Sequence, residues 1–493
     1  MKGSSRAHPQ DAQVSSAGSW TAIAPGRVNL IGEHTDYNGL PVLPIAIDRA
    51  VRIGFRVVGE PVVRLDSTGP RFPPLTFQLK RPIEPAAQGD WSNYVRAAAR
   101  GLLERGLRLE RGIEGTVSGD VPIAAGLSSS SALVVASALA LLRANGVGVG
   151  GAGAEEGVPG ERMAAEGVPG AGAGRAEAGA GRAGVPRLEL AALMARAERF
   201  VGLEGGGMDQ AACLFGEVGH ALRIEFEPLR VTKVAVPAGW RWVVASSLVR
   251  AEKSGGAREA YNERARQCRE ALGVVVEHLS RPGGDARRGM ARDAGMSRWG
   301  GPDERRGKTR DAPMSDWDRP DARRGKSRDA GMSGWAAVGS ATYPDLVARG
   351  GLTRLLEDAS RVLSPVLLRR FRHVVTEGRR VAQAEAAMRA GEIGRFGKLM
   401  VASHESLRSD YEVSTPALDA IVEIALEAGA AGARLTGAGF GGCAVVLCEE
   451  RTVRAVMDAL AARFYAPRLG GPPGGDVMFA VRPSGGAGVG GGP

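Results

Sequence analysis

The chain is poor in cysteine, poor in aromatic residues and free of long hydrophobic runs. Its four cysteines are Cys213, Cys268, Cys443 and Cys448. They are widely spaced and include no Cys-x-x-Cys pair, which argues against a disulfide framework or a zinc ribbon and favours a reducing compartment. No stretch approaches the roughly 18–20 consecutive apolar residues that cross a bilayer, and residues 1–19 lack the apolar core of a signal peptide. We therefore expect a cytoplasmic protein without a membrane partner.

Aromatic residues make up only 5% of the 493 residues, whereas glycine is abundant, with 72 residues. This composition indicates low-complexity segments next to a folded body. Residues 146–186 are almost entirely Gly, Ala, Val, Glu and Arg. Such a segment has too few large apolar side chains to offset the entropy lost on ordering, and we expect a flexible loop there.

A second unusual segment, residues 281–338, holds a tandem repeat with a unit of eighteen residues. Each copy ends in Met-Ser-x-Trp. The units are shorter than those of a solenoid and carry no apolar stripe, which favours a disordered expansion. The alternative is that their arginines and tryptophans contact nucleic acid by charge and stacking, and the net charge of +10 permits such a partner. The repeat pattern favours disorder over this alternative, and nucleic acid is not the expected partner.

The remaining body alternates strand-like and helical segments. Runs rich in β-branched and aromatic residues predict strands at Val51–Val58 and Gly239–Val249. Helical spacing of apolar residues predicts helices at Ser129–Ala144, Leu188–Phe200, Tyr261–His278 and Thr415–Ala428. Because strands and helices do not alternate strictly, the pattern favours an α+β fold over a doubly wound sheet.

Residues 27–39 are the densest polar segment between apolar runs, and they read Arg-Val-Asn-Leu-Ile-Gly-Glu-His-Thr-Asp-Tyr-Asn-Gly. Burying these charges without partners would cost several kcal/mol in total, about 1–3 kcal/mol or more for each group. A polar ligand with many hydroxyl groups, such as a sugar, would supply the missing partners. The alternative is a solvated turn between two strands, for which the segment is unusually dense in charge.

Residues 119–132 indicate a phosphate site. A strand-like stretch leads into Gly126, and four serines at 128–131 open an apolar helix. A helix start offers unpaired N–H groups and a positive dipole end, and the hydroxyls add donors. The segment is not a Walker motif, because it lacks Gly-Lys-Ser/Thr. The alternative, a serine cap on an ordinary helix, would need only one or two serines.

Two further segments are rich in glycine. In the first, three glycines precede Asp209, which could act as a base or orient a hydroxyl, and Glu198 could hold Mg²⁺ through oxygen. Taken alone, an Asp after glycines is typical of a turn. In the second, residues 433–443, a glycine-rich turn leads into a buried strand, and Cys443 is interpreted as a core residue because no histidine lies near it in sequence.

Together these segments resemble the sugar-kinase branch of the GHMP kinases, and the galactokinases most closely. Residues 26–39, 122–130 and 436–442 match the three motifs of that family in order. Shorter matches lie between them, such as Trp91-Ser-Asn-Tyr and Met208-Asp-Gln. The resemblance covers the body of the chain apart from the two low-complexity segments.

The resemblance implies a two-lobed α+β GHMP kinase fold with the active site between the lobes. Its N-terminal lobe, similar to ribosomal protein S5, is expected over 19–215, and a ferredoxin-like C-terminal lobe over 216–485. Residues 1–18 are expected to be disordered, and residues 486–493 to form a Gly-rich tail. A monomer is expected.

The implied reaction is transfer of the γ-phosphoryl group of ATP to the anomeric hydroxyl of D-galactose, with ATP and Mg²⁺ as cofactors. Asp209 matches the group that accepts or orients the hydroxyl proton, and Arg27 matches the partner that keeps this carboxyl ionised. The implied sugar ligands are Glu33, His34, Asp36, Gly206 and Tyr261. The implied ATP-binding residues are Trp91, Tyr94, Gly126, Ser128, Ser129 and Ser130. The implied metal ligands are Ser130 and Glu198.

The identity of the sugar stays open at this point. The segment Glu-Gly-Gly-Gly-Met-Asp-Gln resembles that of N-acetylgalactosamine kinases and fungal galactokinases more closely. The segment Thr-Asp-Tyr-Asn-Gly of the first motif, in contrast, favours galactose as the substrate. A kinase for N-acetylgalactosamine, arabinose or galacturonate is therefore an alternative. A sensor that binds galactose and ATP without turnover is another, although the presence of Arg27, Asp209 and the serine run argues against it.

Overall fold

A computed structural model describes residues 18–69, 71–150, 184–202, 205–249, 256–280, 341–349 and 351–491. Three expectations from the sequence lie wholly or mostly outside these ranges. They concern the disordered N-terminal segment, the flexible loop within 146–186 and the repeats of 281–338.

Two kinds of element make up the described chain. The strands, β1 to β14, are Trp20–Asn29, Pro44–Val58, Val62–Ser67, Leu75–Gln78, Gly112–Gly119, Val149–Gly150, Val185–Pro186, His220–Glu225, Arg230–Ala235, Trp240–Ser246, Gly432–Thr436, Cys443–Glu449, Met478–Val481 and Gly488–Gly491. The helices, α1 to α12, are Ser92–Glu104, Ser129–Ala144, Arg187–Glu198, Met208–Phe215, Gly256–Ser280, Tyr343–Arg349, Leu352–Val362, Pro365–Arg389, Ile393–Ser409, Pro416–Glu427, Val453–Leu460 and Ala466–Leu469.

The strands form two main sheets, which confirms the α+β prediction. The larger has the order β14-β1-β2-β5-β3-β4 and is antiparallel except where β3 runs parallel to β5. The smaller has the order β11-β12-β10-β13. In chain order the smaller sheet follows the strand-helix-strand-strand-helix-strand pattern of ferredoxin-like lobes. One apolar cluster includes the larger sheet and one face of the smaller sheet, and a second lies on the other face of the smaller sheet. The two sheets define the two lobes of the described chain.

The predicted helices occur close to their expected bounds. Helix α2 begins at Ser129 and ends at Ala144, and almost all of its residues are buried because they are apolar on every face. Helix α10 begins after Thr415, whose hydroxyl accepts a hydrogen bond from the N–H of Leu418 at 3.3 Å. This is the N-cap arrangement that a threonine before a proline favours.

Some segments pair with strands outside the lobe or tail in which the sequence placed them. Residues 488–491, which were expected in a Gly-rich tail, form an edge strand of the large sheet against β1. Strand β8, expected in the C-terminal lobe, forms a bridge between Ile224 and Val42 of the N-terminal lobe. Both ends of the loop expected at 146–186 pair as β6 and β7. Glycine-rich strands carry no hydrophobic pattern, so periodicity cannot reveal them.

Within the described ranges, no helix has the length and apolar content needed to cross a membrane.

The contact between α9 and β11 gives a test of the packing of the C-terminal lobe. A Cβ atom on Gly397 would lie 1.8 Å from the carbonyl oxygen of Ala431, so the backbones touch there without a side chain between them. We expect Gly397→Ala to lower the free energy of unfolding by about 1–3 kcal/mol through overpacking. Urea unfolding followed by circular dichroism measures the change.

Gly394→Ala is the matched control for this variant. Gly394 lies on the same helix, and a Cβ atom there meets nothing within 4 Å. This variant should be as stable as the parent or more stable by up to about 1 kcal/mol, because alanine loses less backbone entropy in a helix. Equal stability of the two variants would contradict the close packing.

Candidate active site

The pairing of β1 with β2 is irregular beside the first candidate residue. Pro25 pairs with Ala50 but Arg27 pairs with Ala46, so the extra residues of this bulge are in β2, where residues 47–49 lie opposite Gly26 alone. At this irregularity the N–H of Arg27 donates to the carbonyl oxygen of Leu127 at 3.1 Å. This hydrogen bond ties the end of β1 to the loop that leads into the serine helix α2.

The buried Arg27 guanidinium forms an ion pair with Asp209, the partly exposed second residue of α4. The Nε and Nη2 atoms lie 2.8 and 2.7 Å from Oδ1 of Asp209. The other carboxylate oxygen accepts from the hydroxyl of Ser128 at 2.6 Å, and Nη1 donates to the carbonyl oxygen of Gly126 at 2.5 Å. Burial alone would lower the pKa of Arg27, but the Asp209 and Glu33 carboxylates raise it above its ordinary value. Arg27 is therefore a fixed positive charge.

Glu33 lies in the loop after β1 and is only 1% exposed. One carboxylate oxygen accepts from the side-chain amide of Asn29 at 2.5 Å, and the other from the N–H of Gly437 at 2.5 Å. The guanidinium of Arg434 lies 3.8 Å away. Burial raises the pKa of the Glu33 carboxyl, while Arg434 and Arg27 act in the opposite direction. The glycine-rich segment of the C-terminal lobe thus holds a residue of the N-terminal lobe.

His34 is buried within a group of aromatic rings. Its Nδ1 atom lies 2.9 Å from the hydroxyl of Tyr37, which in turn lies 2.7 Å from the hydroxyl of Tyr411. The Tyr261 ring lies 5.5 Å from the His34 ring. Burial, with help from the nearby His373, lowers the pKa of His34 well below its ordinary value. His34 is therefore neutral near pH 7, which suits a hydrogen-bonding ligand.

Asp36 opens a short helical turn, and its carboxylate faces the segment before α4. The N–H of Gly206 donates to it at 3.1 Å. A Cβ atom on Gly206 would lie 2.4 Å from the carbonyl carbon of Asp36, so only glycine permits this approach. Burial and repulsion by Asp209 raise the pKa of Asp36 to about 6.

Sequence reasoning missed the residues that hold this loop from the C-terminal lobe. On α8, His373 donates through Nε2 to the carbonyl oxygen of Glu33 at 3.1 Å, and Glu377 accepts the N–H of Gly32 at 2.9 Å. Burial alone would raise the pKa of Glu377, but Arg380 and other nearby groups lower it to about 2. The two residues are four apart and lie on one face of α8. Polar residues on the buried face of a helix are the signal that could have found them.

Two cavities meet at these residues. A cavity of about 110 Å³ is lined by residues of the loop 30–43 between β1 and β2, which we call the sugar loop, and by residues of α4 and the glycine-rich turn. Its lining includes the predicted residues Arg27, Glu33, His34, Asp36, Gly126, Glu198, Asp209 and Tyr261. A second cavity, of about 760 Å³, is lined by the predicted residues Trp91, Tyr94, Gly126, Ser128, Ser129 and Ser130. Gly126 borders both, beside the ion pair of Arg27 and Asp209.

The larger cavity suits a nucleotide. The aromatic residues Trp91 and Tyr94 lie on one side of it and the start of α2 on another. The Trp91 indole donates to the carbonyl oxygen of Pro73 at 3.0 Å, which fixes the ring. Ser128 adopts a left-handed backbone with φ of 61° directly before α2. Such strained conformations are concentrated at functional sites, and the N–H groups of the helix start suit phosphate.

Glu198 lies at the end of α3, where hydroxyl and amide groups surround its carboxylate. The Ser131 hydroxyl donates to it at 2.7 Å, and the Gln210 side chain donates to the same oxygen. The structure therefore pairs Glu198 with Ser131, whereas the predicted Ser130 borders the nucleotide cavity. Successive residues of a helix point about 100° apart, so neighbouring serines face different surroundings. In the parts of the chain that the structure describes, no three His, Cys, Asp or Glu side chains form a metal cluster.

Family signatures match three parts of the chain. The galactokinase galactose-binding signature matches residues 11–57, the N-terminal domain of GHMP kinases residues 93–174, and the C-terminal domain of GHMP kinases residues 384–466. The curated galactokinase of Chloroflexus aggregans is 34% identical over 451 residues, which cover 91% of this chain and 88% of that protein. The curated galactokinase of Dictyostelium discoideum is 30% identical and matches 90% of this chain and 83% of its own length.

Solved structures agree with these matches. The crystal structure of Lactococcus lactis galactokinase complexed with galactose superposes with a TM-score of 0.67 at 27% identity, covering 96% of this chain and 95% of that one. Methanococcus jannaschii mevalonate kinase shares the fold, with a TM-score of 0.51 at 16% identity over 94% of this chain and 98% of its own. The fold predicted from the motifs is confirmed. The chain belongs to the galactokinases, within the GHMP kinase family.

Proposed function

We propose that the protein transfers the γ-phosphoryl group of ATP to the anomeric hydroxyl of D-galactose and so produces galactose 1-phosphate and ADP. The observation that carries the proposal is the Arg27–Asp209 ion pair, which lies where the two cavities meet at Gly126. Galactokinases that align with about nine-tenths of this chain support the same reaction.

The smaller cavity suits a sugar because its walls offer both acceptors and donors. The carboxylates of Glu33 and Asp36 can accept hydrogen bonds from sugar hydroxyls, and neutral His34 can donate or accept one. Glu33 is held on both carboxylate oxygens, yet each oxygen can accept a further bond. The ring of Tyr261 adds an apolar face. Galactose, with a ring of hydroxyl groups, matches this lining.

Asp209 is the group proposed to receive the anomeric hydroxyl proton. Its Oδ1 atom accepts a hydrogen bond from the Arg27 guanidinium, and its Oδ2 atom accepts one from the Ser128 hydroxyl. An arginine at this distance favours the ionised carboxylate because the opposite charges attract. Arg27 also offsets negative charge that spreads over the phosphoryl oxygens during transfer. Phosphoryl transfer depends mainly on positioning and on such charge stabilisation.

The proposed metal site is formed by oxygen atoms beside the start of α2. Glu198 and Ser131 are in contact, and the Ser131 hydroxyl also lies 3.4 Å from Asp209. Mg²⁺ is usually held by one or two carboxylates with phosphate oxygens and water, and this donor set fits it. The residues that would hold it are Glu198 with Ser131, or with the predicted Ser130. When bound, Mg²⁺ would neutralise charge on the β- and γ-phosphates.

We further propose a cytoplasmic monomer. All four cysteines are unpaired and buried, which supports a reducing compartment.

Replacing Asp209 by asparagine tests the proposed chemistry. Asparagine keeps the shape of the side chain but cannot accept the proton, so kcat should fall about 10²–10⁴-fold while galactose still binds. A coupled assay of ADP release gives kcat and KM, and isothermal titration gives the affinity for galactose. Asp120→Asn is the control, because Asp120 is half-exposed, pairs with Arg52 and lines neither cavity.

The same assay with a panel of free sugars decides between the alternatives. A parent protein that binds galactose and ATP without releasing ADP would be a sensor, and the proposal would be wrong. Faster turnover of N-acetylgalactosamine, arabinose or galacturonate than of galactose would keep the chemistry and change the substrate. We expect galactose to give the highest kcat/KM.

The raised pKa of Asp36 predicts a pH dependence of sugar capture. Because the pKa of Asp36 is about 6, its carboxyl is protonated in the free enzyme below about pH 6. The protonated carboxyl accepts fewer hydrogen bonds from the sugar hydroxyls. We expect kcat/KM for galactose to fall about tenfold per pH unit below pH 6, because this ratio reports groups of the free enzyme. Asp36→Asn should lower kcat/KM at pH 8 and remove this acid limb. An unchanged acid limb in the variant would assign it to another group.

A further inference from the structure

The segment after β13 returns to the N-terminal lobe, and we call residues 484–491 the strap. At the start of the strap, the N–H of Ser484 donates to the carbonyl oxygen of Ala46 at 2.9 Å. The Ser484 hydroxyl donates to the carbonyl oxygen of Ile47 at 2.6 Å. At its end, Gly488–Gly491 is strand β14, which pairs antiparallel with β1. The strap is therefore attached to both strands that flank the sugar loop.

Between these attachments the strap crosses the end of α4, the eight-residue helix that carries Asp209 in its first turn. The last carbonyl groups of a helix have no partner within the helix. Here the N–H of Ala487 donates to the carbonyl oxygen of Cys213 at 2.7 Å. The Arg187 side chain donates to the next carbonyl oxygen of α4, that of Leu214, at 2.9 Å. The strap thus supplies a donor that the end of α4 requires.

The strap and the end of α4 touch through their backbones. A Cβ atom on Gly486 would lie 2.5 Å from the carbonyl oxygen of Leu214 and 3.0 Å from the nitrogen of Gly216. Real Cβ atoms do not approach backbone this closely, so a side chain at this position would push the two segments apart. The neighbouring Gly485 differs, because a Cβ atom there meets nothing within 4 Å.

The same end of α4 also contacts the strand that carries Arg27. The thiol of Cys213 donates to the carbonyl oxygen of Pro25 at 2.9 Å, two residues before Arg27. The strap pairs with that strand through β14 and with α4 through Ala487. It therefore connects the two elements from which Arg27 and Asp209 reach each other.

We infer that the strap is a positioning element for phosphoryl transfer, which holds α4 against β1 so that the Asp209 carboxylate stays on the Arg27 guanidinium. None of the strap residues lines either cavity, so the strap acts through α4 and not by contact with sugar or nucleotide. A misplacement of about 1 Å can lower a turnover rate about 100-fold. This inference rests on the proposed galactose kinase activity.

The test compares Gly486→Ala with Gly485→Ala in the full chain. We expect Gly486→Ala to lower kcat at least tenfold while KM for galactose and KM for ATP stay within about twofold, because no strap residue lines either cavity. Gly485→Ala should keep the parent kcat within about twofold. The coupled ADP-release assay, with each substrate varied in turn, gives all three constants.

A purely structural role predicts a different result. Gly397→Ala creates a comparable backbone clash in the C-terminal lobe, away from α4. If the strap only adds stability, both variants should keep the parent kcat at a temperature at which circular dichroism shows them folded. That result, or an unchanged kcat in Gly486→Ala, overturns the inference.

Ser484→Ala decides the case if Gly486→Ala does not fold. It removes the hydroxyl hydrogen bond to Ile47 and a longer one of 3.5 Å to the carbonyl oxygen of Gly485, and we expect a fall in kcat of about two- to fivefold with unchanged KM values. An unchanged kcat in Ser484→Ala overturns the inference in that case.

Hydrogen exchange separates a failed inference from a failed function. Peptides that cover 205–216 should exchange faster in Gly486→Ala, or in Ser484→Ala, than in Gly485→Ala, whether or not the protein phosphorylates galactose. Equal exchange in the variant and the control overturns the positioning role. A parent protein that turns over no sugar contradicts the proposed function.

Discussion

The ion pair of Arg27 with Asp209 is the interaction on which the rest of the site depends. Removing Asp209 would leave the buried Arg27 charge uncompensated, and losing one partner of a buried pair typically costs about 3–5 kcal/mol. The pair joins β1 to α4, and its remaining hydrogen-bonding positions engage Gly126 and Ser128 at the start of the serine helix. One charge pair therefore sets the positions of the phosphate loop, strand β1 and the helix of the proposed base.

The sugar loop depends on both lobes for its shape. Glu33 is held by Asn29 from its own lobe and by Gly437 from the other, and α8 holds the backbone of the loop through His373 and Glu377. Because each of these groups is buried, each one needs its partner to offset the loss of solvation. The loop is consequently fixed before a sugar arrives, and relative movement of the lobes would change its acceptor geometry.

The sequence was sufficient to predict the family, the two-lobed α+β fold and the neighbourhood of most candidate residues. It was sufficient because those residues lie in short contiguous motifs whose chemistry is local, such as a serine run at a helix start. Periodicity also located helices such as Ser129–Ala144 to within a few residues. It did not reveal β14, because a glycine strand has no hydrophobic alternation, and it did not single out Ser131, whose hydroxyl contacts Glu198.

The amino-acid sequence by itself determined which chemical groups are available: a guanidinium, carboxylates, a neutral imidazole and a hydroxyl-rich helix start. Tertiary structure alone decided which of them meet. Arg27 and Asp209 are 182 positions apart, and Gly437 and Glu33 are 404 apart. Contacts at such separations depend on sheet order, on a bulge and on glycine backbones that touch. These are properties of the packed chain, and no local pattern of residues encodes them.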